Sequence, residues 1–209
     1  MKYIFYAAVA AIIILIVFYS FHSEDPQVYV REIESFRMTK NRALRDHDSP
    51  LLPSDLSRFN GLEYFNPDPR YKVKAKLERY KTRQLIEMAS TTGGKLRYFR
   101  IGRVSFELND KLVDLDVFQS EDLTEDARLF LPFTDETNGE ESYEGGRYLN
   151  LDFSNQSDVL TIDFNLSYNP YCAYNSSFTC PVPPAENHIP IRVAAGEKKF
   201  RPGHIKTEN

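Results

Sequence analysis

The sequence predicts a mainly β domain, arranged as an antiparallel sandwich or a partly closed barrel, preceded by an amphipathic helix and an N-terminal transmembrane helix. Three observations predict this order. The chain of 209 residues starts with an uncharged apolar run over Tyr3–Phe21. Apolar residues at helical spacing follow that run. From Tyr71 onward, apolar and polar residues alternate in short segments separated by turn residues, which is typical of antiparallel sheets.

We interpret the apolar run as an uncleaved membrane anchor over residues 1–22. A helix over Tyr3–Phe21 would rise roughly 28 Å, about the thickness of the hydrocarbon core of a bilayer. The run is long for a signal peptide, and no small-x-small cleavage site follows it. A cleaved signal peptide and a buried core helix stay open as alternatives.

The charges beside this run predict its orientation. Lys2 precedes it, and Glu24 and Asp25 follow it. The positive-inside rule then leaves the N-terminus in the cytoplasm and places the main domain outside. The formal net charge of −4 argues against nucleic acid as a partner, because nonspecific binding needs a basic surface.

Residues 23–62 are predicted to form a helical lead-in. Asp25 can cap a helix and Pro26 suits a first helical turn. We expect the apolar stripe to dock on the core of the domain, with the membrane surface as the alternative partner. That stripe consists of Tyr29, Ile33, Phe36 and Leu44. A short second helical turn is predicted over Ser54–Phe59.

Residues 63–199 are predicted to form the all-β domain, and residues 200–209 a flexible tail. The turns between strands are expected at Thr91–Gly94 and Asn109–Lys111, where the residues favour tight turns. The predicted strands are Tyr71–Glu78, Gln84–Ser90, Lys95–Ile101, Val104–Leu108, Leu112–Phe118, Leu129–Thr134, Arg147–Phe153, Val159–Leu166 and Ile189–Ala195.

The polar stretch from Asp135 to Asn187 is the predicted site, because long polar loops on a β scaffold commonly carry function. In one interpretation, Arg147 holds an anionic group by a two-pronged hydrogen bond inside a pocket between loops 135–148 and 168–187. The other predicted ligand-binding residues are Tyr143, Tyr148, Tyr168, Asp135, Asp163, Asn165, Asn169, Glu186 and Asn187. In the alternative interpretation, these groups satisfy one another and the loop backbone.

Cys172 and Cys180 are the two cysteines of the chain. Outside the cytoplasm such a pair normally forms a disulfide, which here would close a short loop. A reduced buried pair and a redox or metal-binding pair are the alternatives.

The sequence indicates no metal and no cofactor. The four histidines do not form an H-x-H or H-E-x-x-H pattern, and no nucleophile elbow or phosphate loop is present. The carboxylates between Asp135 and Glu144 resemble a solvated loop more than a calcium site, since their spacing is not that of an EF-hand.

Three segments of the chain resemble a bacterial family known as domain of unknown function 1684. They are G-L-E-Y-F-N-P-D-P-R-Y, F-T-D-E-T-N-G-E-E-S-Y-E-G-G-R-Y-L, and D-F-N-L-S-Y-N-P-Y-C-A-Y with the later C-P-V-P-P-A-E-N. The resemblance covers roughly Ile33 to Lys198. It implies no established activity, substrate or catalytic residue. Many members of the family lack a membrane leader, and cysteines that function in a reducing cytosol would weaken the disulfide interpretation.

The sequence therefore predicts a single-pass, membrane-anchored, extracytoplasmic domain. Its expected partners are the membrane, through the N-terminal helix, and a small polar or anionic ligand or an envelope protein. Two other function classes stay open. One is an enzyme that uses carboxylate or tyrosine acid–base chemistry, with Asp135, Glu141 or Glu186 as candidates. The other is a structural envelope protein without a ligand.

Overall fold

The computed structural model describes Tyr6 and residues 25–121, 128–152 and 157–202. In this part of the chain, two helices, α1 (Pro26–Ala43) and α2 (Pro53–Leu56), precede one seven-stranded sheet. Its strands are β1 (Lys72–Ala89), β2 (Lys95–Leu108), β3 (Lys111–Ser120), β4 (Leu129–Asp135), β5 (Arg147–Leu151), β6 (Val159–Asp163) and β7 (His188–Ile189). The prediction of a mainly antiparallel β domain behind a helix is confirmed.

The predicted membrane span, Tyr3–Phe21, lies outside the described residues except for Tyr6. Among the helices that the structure does describe, none combines the length and the apolar character needed to cross a bilayer.

Helix α1 begins and docks as predicted, but its buried face differs from the predicted one. The Asp25 carboxylate accepts a hydrogen bond from the Gln27 amide at 2.9 Å, which caps the helix. Tyr29 and Ile33 are buried, whereas Phe36 is 45% exposed and the neighbouring Arg37 is buried instead. The prediction that Phe36 packs on the domain is therefore wrong, because the buried face of the helix carries Arg37 at this turn.

Two pairs of predicted strands are each one long strand with an irregularity. β1 joins the segments predicted as Tyr71–Glu78 and Gln84–Ser90, and its register against β2 shifts between Arg79 and Gln84. β2 passes through Gly102, where a Cβ atom would collide with the backbone carbonyl of Glu78. Such bulges interrupt the alternation of apolar and polar residues without ending the strand.

The sheet is an antiparallel half-barrel with strand order β5-β4-β3-β2-β1-β6. The β2–β3 hairpin turns at Asn109 and Asp110, whose φ angles are 50° and 60°, as the turn residues predict. The buried concave face carries the main core, including Val104, Leu115 and Ile162. Helix α1 lies beside the gap between edge strands β5 and β6, where residues of all three elements line a cavity of about 670 Å³.

The end of the chain departs from the prediction. The predicted strand Ile189–Ala195 is reduced to β7, which pairs in parallel with the end of β4. β6 also stops earlier than predicted, at Asp163, and a 3₁₀ turn follows over Phe164–Leu166. Phe200, predicted to lie in a flexible tail, packs its ring 5.2 Å from the ring of Tyr174. Residues 203–209 of that predicted tail lie outside the described residues.

Candidate functional site

The two polar loops that were predicted to frame a site do lie against each other. Tyr148 and Tyr168 form a backbone bridge, in which the amide nitrogen of each lies 2.9 or 3.0 Å from the carbonyl oxygen of the other. The Tyr143 hydroxyl lies 3.8 Å from the Cys172 sulfur. Gly146 has a φ of +89°, and an added Cβ would lie 2.7 Å from both the Phe133 carbonyl and Pro183. Only glycine allows so close an approach of the two loops.

Arg147 lies beneath this junction and is fully buried. Its guanidinium donates to the Asp135 carboxylate at 2.7 Å, to the Val193 carbonyl at 2.9 Å, and to the Ala195 carbonyl. Asp135 also accepts from the backbone amides of Thr137 at 2.9 Å and Val193 at 3.1 Å. Burial lowers the pKa of Arg147, and the Asp135 charge opposes that shift.

This geometry corrects the expectation that Arg147 holds an anionic ligand. The side chain has no exposed surface, and its two terminal nitrogens donate to Asp135 and to carbonyls of the C-terminal segment, whereas Nε is buried without a partner. The ion pair joins β4, β5 and residues 193–197. We therefore assign Arg147 and Asp135 a structural role.

The predicted amide residues are also buried and serve the backbone. The Asn187 side chain accepts from the Asp116 amide at 2.9 Å and donates to the carbonyls of Asp116 and Pro132 at 2.9 and 2.7 Å. Its side-chain amide thereby bridges the backbones of β3 and β4 by hydrogen bonds. The side chain of Asn169 donates to the Lys198 carbonyl at 2.8 Å.

Asp163 and Asn165 fasten helix α1 to the end of β6. The Tyr29 hydroxyl donates to the Asp163 carboxylate at 2.9 Å, and the Asn165 amide group donates to the Tyr29 oxygen at 2.8 Å. The Asn165 side chain also accepts a hydrogen bond from the Asp68 amide and donates one to the Asp68 carbonyl. Burial, followed by the Asp163 charge, raises the pKa of Tyr29 well above its usual range. These bonds favour the interpretation in which the polar residues satisfy one another.

A buried carboxylate that the sequence did not single out, Glu197, connects the helix to the loops. It is 1% exposed, pairs with Lys40 of α1, and accepts from the Tyr174 hydroxyl at 2.6 Å and the Asn169 amide at 2.8 Å. Glu197 stands in a polar C-terminal run, so its sequence neighbours gave no indication of burial.

Beside this carboxylate, a cavity of about 460 Å³ opens between the loop 168–187 and strands β2, β4 and β5, and we call it the aromatic cavity. Of the predicted site residues, Tyr148 and Tyr168 line it. Tyr168 lies 5.9 Å from Tyr148 in an edge-to-face arrangement, and its hydroxyl accepts from Asn150 at 2.9 Å. Burial raises the pKa of Tyr168 to about 12. The remaining lining residues are Lys40, Tyr98, Phe130, Asn150, Pro170, Tyr171, Phe178, Thr179, Cys180 and Pro181.

The two cysteines are free thiols, so the predicted disulfide is not formed. They are nevertheless adjacent, since the Cys172 amide donates to the Cys180 sulfur at 3.2 Å. The hydrogen bond from the Cys180 thiol, with a further one from Tyr143, lowers the pKa of Cys172 to about 6. The same pairing, together with burial, raises the pKa of Cys180. A reduced pair with one low-pKa thiol therefore replaces the bridge.

The other candidate carboxylates lie apart from this cavity. Glu141 pairs with Arg192 at 2.5 Å and Glu144 with Lys199 at 2.9 Å, both on the surface. Glu186 is exposed in a 3₁₀ turn. Within residues 25–121, 128–152 and 157–202, no three His, Cys, Asp or Glu side chains are grouped so as to hold a metal ion.

Three comparisons bear on this arrangement. The sequence model of the family described as "Protein of unknown function (DUF1684)" matches residues 57–198. A solution NMR structure of an uncharacterized protein from Haloarcula marismortui is 37% identical in sequence and superposes with a TM-score of 0.65. The alignment covers 82% of this chain and 95% of that one. A search of curated proteins gave no significant match.

A structural role for Arg147 predicts a large stability loss on substitution. Arg147→Met leaves the Asp135 carboxylate buried and unpaired, and we expect it to lower the free energy of unfolding by about 3–5 kcal/mol. Urea unfolding of the full-length chain measures this. Arg192→Met, which removes a half-exposed ion pair, is the control and should cost less than about 1 kcal/mol. Equal stabilities of the Arg147 variant and the parent would contradict the assignment.

The cysteine geometry predicts unequal reactivity. Because the thiolate is the nucleophile, alkylation of Cys172 by iodoacetamide should rise with pH through about 6, whereas Cys180 should react slowly throughout. Mass spectrometry of quenched samples resolves the two sites. Tyr143→Phe removes one donor to the Cys172 sulfur and should move its profile to higher pH. A Cys172 profile at the ordinary thiol pKa of about 8.5 would show that this environment does not exist.

Proposed function

The chain belongs to the DUF1684 family of proteins of unknown function, and we propose that it is a membrane-anchored domain whose aromatic cavity binds a small molecule with an uncharged polar ring. The observation that carries the proposal is the set of six aromatic side chains around one open cavity of about 460 Å³. Small-molecule sites are commonly concave and aromatic, with few polar groups that orient the ligand.

The walls suit a flat ring. Phe130 lies edge-on to Tyr148 with ring centroids 4.8 Å apart, and Tyr98 stacks on Phe130 at 5.5 Å. At the rim, Tyr171 is 53% exposed and meets Phe178 edge-to-face at 5.4 Å. Aromatic faces and edges of this kind bind planar rings through complementary quadrupoles.

The polar groups favour a neutral ligand. Lys40 lines the cavity, but its ammonium pairs with Glu197 and lies 4.7 Å from the centre of the Tyr168 ring. Its charge is thereby compensated within the protein. The Tyr168 hydroxyl accepts from Asn150, so its own proton can be donated to a ligand hydroxyl or carbonyl. We infer a ring that carries hydroxyl or amide groups.

The rival classes gain less support from the geometry. Of the three candidate carboxylates, Asp135 is used in the core ion pair, Glu141 pairs with Arg192, and Glu186 is exposed; none of them lines the aromatic cavity. A purely structural protein would be expected to fill the space between this loop and the strands, yet this space is open.

Membrane anchoring is part of the same proposal. The uncharged Tyr3–Phe21 run is followed within a few residues by α1, which starts at Pro26. An anchor there would hold the domain directly at the membrane surface, on the outer side according to the flanking charges.

A small neutral aromatic compound tests the ligand proposal. With the full-length chain in maltoside detergent, 4-hydroxybenzamide should show saturation transfer from the protein in ligand-observed NMR. Tyr171→Ala removes one wall at the exposed rim and should weaken binding by roughly threefold to tenfold, given typical aromatic pair energies. Leu112→Ala, at a residue that is 76% exposed and lies outside the cavity, is the control. Binding that is absent, or unchanged by Tyr171→Ala, would refute the proposal.

Cell fractionation tests the anchor. The full-length chain should remain in the membrane fraction after an alkaline carbonate wash, and protease added to intact spheroplasts should degrade it. Removal of residues 1–22 should release it, whereas removal of residues 203–209 should not. Recovery of the intact chain in the soluble fraction would exclude an anchor, and protection from protease would exclude the outward orientation.

A further inference from the structure

We propose a second ligand site, independent of the aromatic cavity, in which Arg37 binds a small oxyanion of the phosphate or carboxylate class. Arg37 lines a cavity of about 530 Å³ between α1 and residues 63–67, which we call the arginine cavity. Tyr64 and Lys198 also line it.

The proposal starts from unused donors. Arg37 is only 8% exposed, and its Nε and Nη2 atoms are buried without a hydrogen-bond partner. These two nitrogens carry the parallel N–H bonds of one guanidinium edge. That edge is the one that binds carboxylate or phosphate in two-pronged fashion. The Tyr64 hydroxyl is likewise buried without a partner.

Stacking on the neighbouring ring does not satisfy these donors. The Arg37 guanidinium carbon lies 4.5 Å from the centre of the Tyr64 ring, a favourable cation–π distance. Stacking engages the flat face of the guanidinium, however, and leaves its edge unpaired. A buried charged group with unpaired donors is costly, and native proteins rarely keep one without a partner.

The surrounding charges leave the edge available. Glu34, Glu63 and Lys198 line the arginine cavity, and the Glu197 carboxylate interacts electrostatically with Arg37. Glu197 uses its oxygens for Lys40, Asn169 and Tyr174. Lys198 lies over the Phe65 ring at 5.0 Å and adds a second cation. Since neither Nε nor Nη2 of Arg37 has a hydrogen-bond partner, none of these carboxylates is bound to that edge.

Access to the edge needs a small rearrangement. Nε and Nη2 are each enclosed by protein, so an oxyanion must displace a wall side chain to reach them. Met38, which is 62% exposed, and the exposed Glu34 stand at the rim and can move at low cost. An equilibrium measurement is therefore the appropriate test.

Phosphate titration of the full-length chain in maltoside detergent, at ionic strength held constant with chloride, tests the site. Because a ligand stabilises the state that binds it, the midpoint of thermal unfolding should rise with phosphate in the parent protein. Arg31→Met, on an exposed arginine of the same helix, should keep the rise. Arg37→Met should abolish it. No rise in the parent, or an undiminished rise in Arg37→Met, would overturn the proposal.

A second variant decides the matter if Arg37→Met does not fold. Arg37→Lys keeps the positive charge but loses the two-pronged edge, so its phosphate affinity should fall by about tenfold or more. An unchanged affinity would overturn the proposal. Tighter binding of glycerol 3-phosphate than of inorganic phosphate would identify a lipid headgroup as the source of the oxyanion. The reverse order would identify a free anion, and either order supports the site.

Discussion

The ion pair between Arg147 and Asp135 is the interaction on which the rest of the structure depends. It lies at the point where β4 and β5 meet, and its remaining bonds hold the carbonyls or amides of Val193 and Ala195. A buried pair recovers its desolvation cost only when such additional hydrogen bonds satisfy it. The C-terminal segment supplies them, although it contributes only the short strand β7 to the sheet. The position of that segment in turn places Glu197 beneath Lys40 of α1.

Side-chain amides perform a related task elsewhere in the half-barrel. Asn187 bonds Asp116 and Pro132, and Asn165 bonds both backbone groups of Asp68. Asn187 lies beside strands β3 and β4, and Asn165 lies beside the irregular segment that precedes β1, so the backbone groups facing them lack a regular partner. A buried amide provides a donor and an acceptor together and removes that cost. The polar composition between Asp135 and Asn187 therefore reflects the needs of long loops more than the chemistry of a ligand.

This distinction explains which predictions the sequence supported. Alternation and turn residues located most strands, since both depend on local geometry. They divided β1 and β2 in two because a bulge changes the local pattern without ending the strand. Tyr148 and Tyr168 were predicted as ligand-binding residues because they lie in the polar stretch, whereas Tyr98 and Phe130 come from strands distant in sequence and were missed. The burial of Arg37 depends on the rotation of α1, which helical spacing alone does not specify.

Helix α1 is the element that both proposed sites share. Lys40 borders the aromatic cavity, and Arg37, one turn earlier, borders the arginine cavity. Tyr29 attaches the N-terminal half of the helix to Asp163 at the end of β6, and Lys40 attaches the C-terminal half to Glu197 in the C-terminal segment. A ligand that moves Arg37 would act on the same rigid element that carries Lys40. Two sites on one such element become coupled whenever a ligand favours a different position of that element.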